Sequence, residues 1–438
     1  MSITTGTFPG VRIVDMPDLG AISDTSSVVG ERAGSGRFSA AALRGYIEKF
    51  PVLGAVSIAQ FGAMGDSATD NLGAFNAAIA ALPFGGAIVI PPGDYVSSGP
   101  IVLPFGVSLR GSGRGASTLT MACNANPNIT MNTSCEISGL QIVGRGTQTG
   151  AMVLMQGNGG VLRDFTMQNY FGGILIQGAS SSALAVGATI QGGNMFNPIV
   201  GGVGIGVDNF GGCMILDMVM AGPASGPQPA ASFVIKNGDT LLLDNINATH
   251  HGPFLVEPPA SNNTYALMIT NCLFDSNYDS SAASFLPAGN IIDTVITNTW
   301  FGLSHGHGLV LSPTATGVIS GMEVTGCQFI GNTGGSGINI NATGGAIVTG
   351  INIMGGRAEA NSSNGAHLLG TGVLGVTFNG FRAGNYGGRG PNGGAGILTA
   401  GSVDRYVITN CSLWGNTGAA LADTSTGTNK TVANNMVA

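Results

Sequence analysis

One short cadence recurs along most of the chain: an apolar residue, any residue, then Gly, Asn or Asp, a small or apolar residue, any residue, and a final apolar one. It is plainest in ITNCLF (269–274), ITNTWF (296–301), VTGCQF (324–329), VTGINI (348–353), VLGVTF (373–378) and ITNCSL (408–413). Carried backward, the third position falls at Gly139, Asp164, Gly187, Asp217, Asn245, Asn271, Asn298, Gly326, Gly350, Gly375 and Asn410. These residue types tolerate a left-handed backbone, so each can make a one-residue bend between two short strands. The positions two before the bend (Ile137 through Ile408) and three after it (Ile142 through Leu413) are apolar throughout. A period of about 27 residues matches one turn of a parallel β-helix, in which inward side chains stack on the next turn. About eleven rungs at a strand spacing near 4.8 Å predict a rod about 50 Å long.

A solenoid of this kind needs its apolar end covered. DNLGAFNAAIAAL (70–82) supplies a helix, with Asp70 as N-cap and Leu72, Phe75, Ile79 and Leu82 on one face. Composition agrees with a packed core: 44% of residues are hydrophobic and only 8% charged, where a soluble domain carries about 25%. The 74 glycines follow no Gly-X-Y period, which excludes collagen, and the longest apolar stretch (77–93) is interrupted by Pro and Gly, so no membrane insertion is expected. A net charge of −7 with three lysines (Lys49, Lys236, Lys430) leaves no basic stripe for nucleic acid. The six cysteines form no C-x-x-C pair or Cys/His cluster, so no metal and no other cofactor is expected. Cys272, Cys327 and Cys411 fall on one inward column as buried thiols. The start, MSITTGTFPG, lacks the marks of a secretory signal, which predicts synthesis and folding in a cytoplasm.

Residues 56–113 resemble the opening of the pectate-lyase-like superfamily of right-handed parallel β-helices. The resemblance rests on Phe61-Gly62-Ala63 with Gly65-Asp66, Thr69-Asp70-Asn71, Ala77-Ala78-Ile79, Pro91-Pro92-Gly93 with Tyr95, and Arg110-Gly111-Ser112-Gly113. Together with the rung pattern it covers about residues 56–420. It implies an all-β, right-handed parallel β-helix and says little of function, because the superfamily holds lyases, hydrolases, epimerases and binders. DTSSVVGERAGSGRFSAAALRGYI (24–47) resembles the attachment segment ahead of the fibre or spike domain in bacteriophage tail proteins. It reads as an extended piece, a Gly-Ser-Gly turn and a helix from about Ser39 to Glu48.

The expected organisation is therefore a virion-attachment or oligomerisation segment (1–50), a cap with the first strands (51–113), a β-helix body (114–422) and a C-terminal tail (423–438). The two resemblances imply a phage tailspike or tail fibre in the virion tail. They imply a homotrimer, held through residues 1–50 by a tail, baseplate or portal-proximal protein, that binds and depolymerises a host surface polysaccharide. The scarcity of charge suits surface buried between chains. Two alternatives stand beside this reading: a fibre with the same fold that only binds receptor or serves as a shaft, and a secreted pectate-lyase or polygalacturonase-like enzyme.

Of the elements of the superfamily's polygalacturonases, the chain carries Gly306-His307-Gly308 but no Asn-Thr-Asp, Asp-Asp or Arg-Ile-Lys, and no acid cluster for the calcium of pectate lyases. Counting six to seven residues past each expected bend reaches His251, Tyr278, His305, Arg357 and Arg382, with Asp275, Asp279, His307 and Glu359 close by. Such a strip suits a glycan. Two carboxylates among Asp275, Asp279 and Glu359 would serve hydrolysis; His305 or Tyr278 as base, with Arg357 on a uronate, would serve a lyase. Trp300 and Leu273 alternate outward, so Trp300 either stacks on a sugar or packs between subunits. The competing reading is that these side chains are polar because loops are wet, and unequal loops scatter them. Glu257, Asp293 and Glu323 are secondary candidates.

Overall fold

A computed structural model describes residues 54–278 and 280–437 and the backbone of two short strands nearer the N-terminus. The chain divides into two units, Met1–Val56 and Ser57–Ala438. In the first, Ser27–Val29 and Arg37–Ser39 pair antiparallel, Val28 opposite Phe38. Ser39 ends the second of these strands, and the rest of the helix expected to Glu48 lies outside the described residues.

The second unit is an all-β, right-handed parallel solenoid of about 14 turns, more than the eleven expected. The extra turns come from both ends. Gly86–Ile90 and Val107–Gly111, which the sequence places with the cap as first strands and outside the eleven counted rungs, stack in register below Glu136–Ser138 as ordinary rungs. At the other end Lys430–Ala433 pairs with Tyr406–Thr409. The cap helix runs from Leu72 to Ala80 and buries Phe75 and Ala78, with Leu82 buried just beyond it; Ile79 is only half covered. The N-cap position is Asn71, one residue later than expected, and Asp70 Oδ1 accepts from Leu72 N at 3.1 Å from just before it.

One sheet has thirteen parallel strands, from Ile101–Leu103 to Leu421–Asp423. The other is creased lengthwise by left-handed residues, and here the expected frame needs correction. Left-handed φ occurs in two columns five residues apart: Gly187 and Gly192, Thr240 and Asn245, Ala266 and Asn271, Asp293 and Asn298, Gly321 and Gly326, Gly350 and Gly355, Gly375 and Gly380, Arg405 and Asn410. Pairing of Leu162 with Ile190, Val324 with Ile353 and Ile353 with Phe378 aligns the later member of each pair with Asp164 and Gly326. Gly187, Gly350 and Gly375 therefore belong to the earlier crease. The confusion has a physical cause: at Gly187, Gly350 and Gly375 the earlier crease is preceded two positions back by apolar Ala185, Val348 and Val373, just as the later crease is by Ile190, Ile353 and Phe378, so one motif describes either.

Inside the rod, Phe254, Phe274, Phe301 and Phe329 form a continuous file, with ring centroids 4.8, 5.8 and 5.6 Å apart. Cys272, Cys327 and Cys411 are buried one residue past the later crease, and burial pushes the first two thiols up to about 12 and about 11. Where the strands after that crease end, buried Asn332, Asn361 and Asn392 and part-buried Asn416 form a ladder, each of the first three donating from Nδ2 to the next Oδ1 at 2.8 Å. Among the described residues no helix is long and apolar enough to cross a membrane.

Candidate functional site: the outer face past the later crease

Two residues past the later crease, the strands bring Leu273, Trp300, Gln328, Arg357 and Arg382 into one register. Four past it stand Asp275, Gly302, Ile330 and Glu359. Between them Phe274, Phe301, Phe329, Ala358 and Ala383 face the core, so alternation turns both flanking columns outward. Arg357 and Arg382 thus stand on strands in register with Trp300, two and three rungs on, not in loops as the competing reading had them.

Trp300 and Asp275 interact directly. Trp300 Nε1 donates to Asp275 Oδ1 at 3.1 Å, one rung back. The indole lies against Gly302, where a Cβ would come within 2.5 Å of Nε1. Arg389 covers the ring, its Cζ 5.3 Å from the centroid. Burial pushes the Asp275 carboxyl above its usual range, against the opposing effect of hydrogen bonds from Trp300 and Ser276 and the charge of His250.

Two rungs beyond Trp300, Arg357 donates from Nε and Nη2 to Gln328 Oε1 at 3.2 and 3.0 Å. Its Nη1 lies 3.7 Å from Oε1 of Glu359, which is fully buried. Tyr386 N donates to the same oxygen at 3.0 Å, while Oε2 has no hydrogen-bond partner. The backbone passes so close above this pair that a Cβ on Gly387 would lie 2.7 Å from Oε2 and 2.8 Å from Arg357 Nη1. Tyr386 meets Trp414 edge-on at 4.9 Å.

On the other side of Asp275, His250, Tyr278 and His305 form a file with successive centroids 5.3 Å apart. Tyr278 Oη donates to Ala224 O at 2.6 Å, and its N–H to Gln228 Oε1 at 3.1 Å. These bonds tie the 222–230 loop over the file.

Several expected site residues stand elsewhere. His251 is fully buried, bonded through Nε2 to the Tyr170 hydroxyl, with Nδ1 unpartnered; burial pushes its pKa down to about 4. Its neighbour His250 takes the outward place, because His250 itself adopts the left-handed turn, with φ of 55°. His307 turns toward the backbone of the next rung, where its Nδ1 accepts from Ser336 N at 2.9 Å, and burial together with His367 lowers its pKa. Gly306-His307-Gly308 is thus a turn joined to its neighbours. Asp275 and Glu359 are separated by three rung steps, about 14 Å at strand spacing, beyond the roughly 5–9.5 Å of a glycosidase pair. Asp279 lies outside the described residues. Of the secondary acids, Asp293 sits in the earlier crease and Glu323 on the outward face of Val318–Thr325. Glu257 borders a shallow groove of about 410 Å³ on the thirteen-stranded sheet, with Leu175, Val234, Asp208 and Lys236.

The sequence reading missed His250, Gln328, Tyr386, Arg389 and Trp414. Counting two and four residues past Gly326, Gly355 and Asn410 finds Gln328, Glu359 and Trp414; no count finds Arg389, which lies on a long irregular loop. Among the described residues no group of three His, Cys, Asp or Glu side chains could hold a metal.

Residues 55–148 match a family described as rhamnogalacturonase A/epimerase, pectate lyase-like. A comparison with curated protein sequences returns no match. The structure resembles the catalytic unit of the GH87 α-1,3-glucanase of Streptomyces thermodiastaticus (TM-score 0.50, 15% identity, 87% of this chain and 68% of that one). It also resembles the surface protein and adhesin PfbA of Streptococcus pneumoniae (0.51, 14%, 86% and 99%) and the Dettilon tailspike protein (0.50, 14%, 80% and 69%). The likeness is one of fold.

Proposed function

We propose that the chain is a phage tailspike that binds a host surface polysaccharide along the face from His250 to Trp414. The observation that carries this reading is the Trp300–Asp275 pair: an indole in the outer register, hydrogen-bonded to a carboxylate, offers a ring a stacking surface and an acceptor for its hydroxyls. Arg357 and Arg382 extend the same register with donors. Tailspike, adhesin and glucanase among the fold's relatives support a surface-glycan role, and the resemblance of residues 24–47 to tail attachment segments supports a virion setting. A homotrimer anchored through residues 1–50 to a tail, baseplate or portal-proximal protein belongs to this proposal. So does assembly in the host cytoplasm.

Cleavage of the glycan is a second reading, favoured by the raised pKa of Asp275, which suits a proton donor. One experiment addresses both. The protein is incubated with surface polysaccharides of candidate hosts, followed by glycan retention, reducing-end release and absorbance near 235 nm. Retention lost in Trp300→Ala supports binding at this face, and fragments lost in Asp275→Asn support cleavage there. Retention unaffected by Trp300→Ala overturns the assignment. Light scattering of the intact chain tests the trimer.

A further inference from the structure

The segment Gly384–Pro391 crosses the outer face as a strap. One end is held where Tyr386 N donates to Glu359 Oε1 at 3.0 Å, the other where Ala360 N donates to Gly390 O at 3.1 Å. Among the described residues nothing bonds to the backbone of Gly387, Gly388 or Arg389 between these anchors. Gly388 and Gly390 have φ of 73° and 120°, conformations that a side chain disfavours. The tip hides two groups. Arg389 lies on Trp300, and Gly387 lies on Glu359, whose Oε2 is buried without a partner.

A carboxylate oxygen buried without a donor is an unfavourable arrangement, and an indole ring is the widest apolar platform on this face. Both are the features that a sugar chain would satisfy. We propose that the 384–391 strap is a displaceable cover over a saccharide subsite, in which Arg389 occupies the face of Trp300 that a pyranose ring takes, and Gly387 withholds Glu359 Oε2 from a ring hydroxyl. The inference deepens the glycan-binding reading above and rests on it. Trp300 and Glu359 are two rungs apart, about 10 Å, so the occupant is a chain of at least two rings running along the rod. Asp275 and Glu359 stand at its two ends as acceptors. The rings they hold bring hydroxyl donors, which makes the favoured glycan neutral here and disfavours a uronate.

The cover predicts a gain from losing a side chain. The two tryptophans are Trp300 and Trp414, so a Trp414→Phe background reports on Trp300 alone. In that background Arg389→Ala is expected to raise the acrylamide quenching constant of Trp300 at least twofold, and an unchanged constant overturns the cover. On an array of neutral and uronate-containing surface polysaccharides, Arg389→Ala with both native tryptophans is expected to bind neutral glycans several-fold tighter. In the same assay Glu359→Gln is expected to bind them more weakly. If Trp300→Ala abolishes retention while Arg389→Ala weakens it or leaves it unchanged, the cover is wrong and the site stands. If Trp300→Ala changes nothing, or no glycan is retained by any form, the glycan reading itself fails, and the quenching result still judges the cover.

Discussion

Trp300 reaches back one rung to donate its indole N–H to Asp275 Oδ1 at 3.1 Å, and burial keeps that carboxyl above its usual range. A carboxyl with a raised folded-state pKa contributes stability below its unfolded value, near 3.9, and loses it as pH rises through the folded one. Asp275→Asn keeps an acceptor for the indole and removes the titration. The difference in unfolding free energy between variant and wild type is therefore expected to move in favour of the variant from pH 4 to pH 7. Its size is modest, because Asp275 is partly exposed. Urea denaturation at the two pH values measures it; a constant difference would contradict the assignment.

Glu359 behaves differently, because it is fully enclosed with Arg357 and the Tyr386 backbone. Glu359→Ala leaves Tyr386 N without its acceptor and opens a cavity beneath the strap, at an expected cost of about 3 kcal/mol. Glu359→Gln keeps the acceptor and exchanges an unpaired carboxylate oxygen for an amide, so its loss is expected to be under half as large. Equilibrium denaturation of the two variants ranks them.

His251 gives the opposite pH signature from Asp275. It is buried in the neutral form, its pKa pushed down to about 4 by desolvation. The unfolded chain takes up a proton near pH 6.5 that the folded one refuses, so the stability His251 contributes is present above about 6.5 and falls as pH drops toward 4. The double variant Tyr170→Phe, His251→Phe removes both polar ends of the buried pair and is expected to flatten this limb. Thermal midpoints between pH 7 and pH 4.5 would show it.

The fold was legible because a left-handed bend restricts residue type: Asn271, Asn298, Gly326 and Asn410 stand where few side chains can. The site was less legible, since two creases five residues apart share one apolar signature. Choosing Gly350 and Gly375 in place of Gly355 and Gly380 moved Arg357 and Arg382 off their strand, and counting six past Asn245 selected His251 rather than the outward His250. Trp300 emerged because alternation from Phe301 requires no choice of crease, and Asp275 because it stands close to Tyr278, counted from Asn271, where the expected bend was the right one. Arg389 belongs to an irregular loop whose path depends on Gly387 lying against Glu359, and no local pattern encodes that contact.

The asparagine ladder joins the loops that follow the strands of Gln328, Arg357 and Arg382, and through Asn332, which accepts from Ser304 N and donates to Phe301 O, it meets the loop after Trp300. Asn361 occupies an interior step. It accepts from Asn332 Nδ2 at 2.8 Å and Asn332 N at 3.2 Å, and donates to Asn392 Oδ1 at 2.8 Å and Phe329 O at 2.9 Å. Asn361→Ala strands buried donors and acceptors on both neighbouring rungs, each worth about 1–3 kcal/mol when left unpaired, so a loss of about 3 kcal/mol or more is expected. Asn416 sits at the end of the ladder in a part-buried position, where water can replace the lost partner. Asn416→Ala is therefore expected to lose less than half as much. Since Glu359 lies two residues before Asn361, the interior variant is also expected to loosen the strap and raise quenching of Trp300 in the Trp414→Phe background, while the end variant leaves it unchanged. Equal destabilisation by the two substitutions would show that the ladder does not hold together the loops that follow these strands.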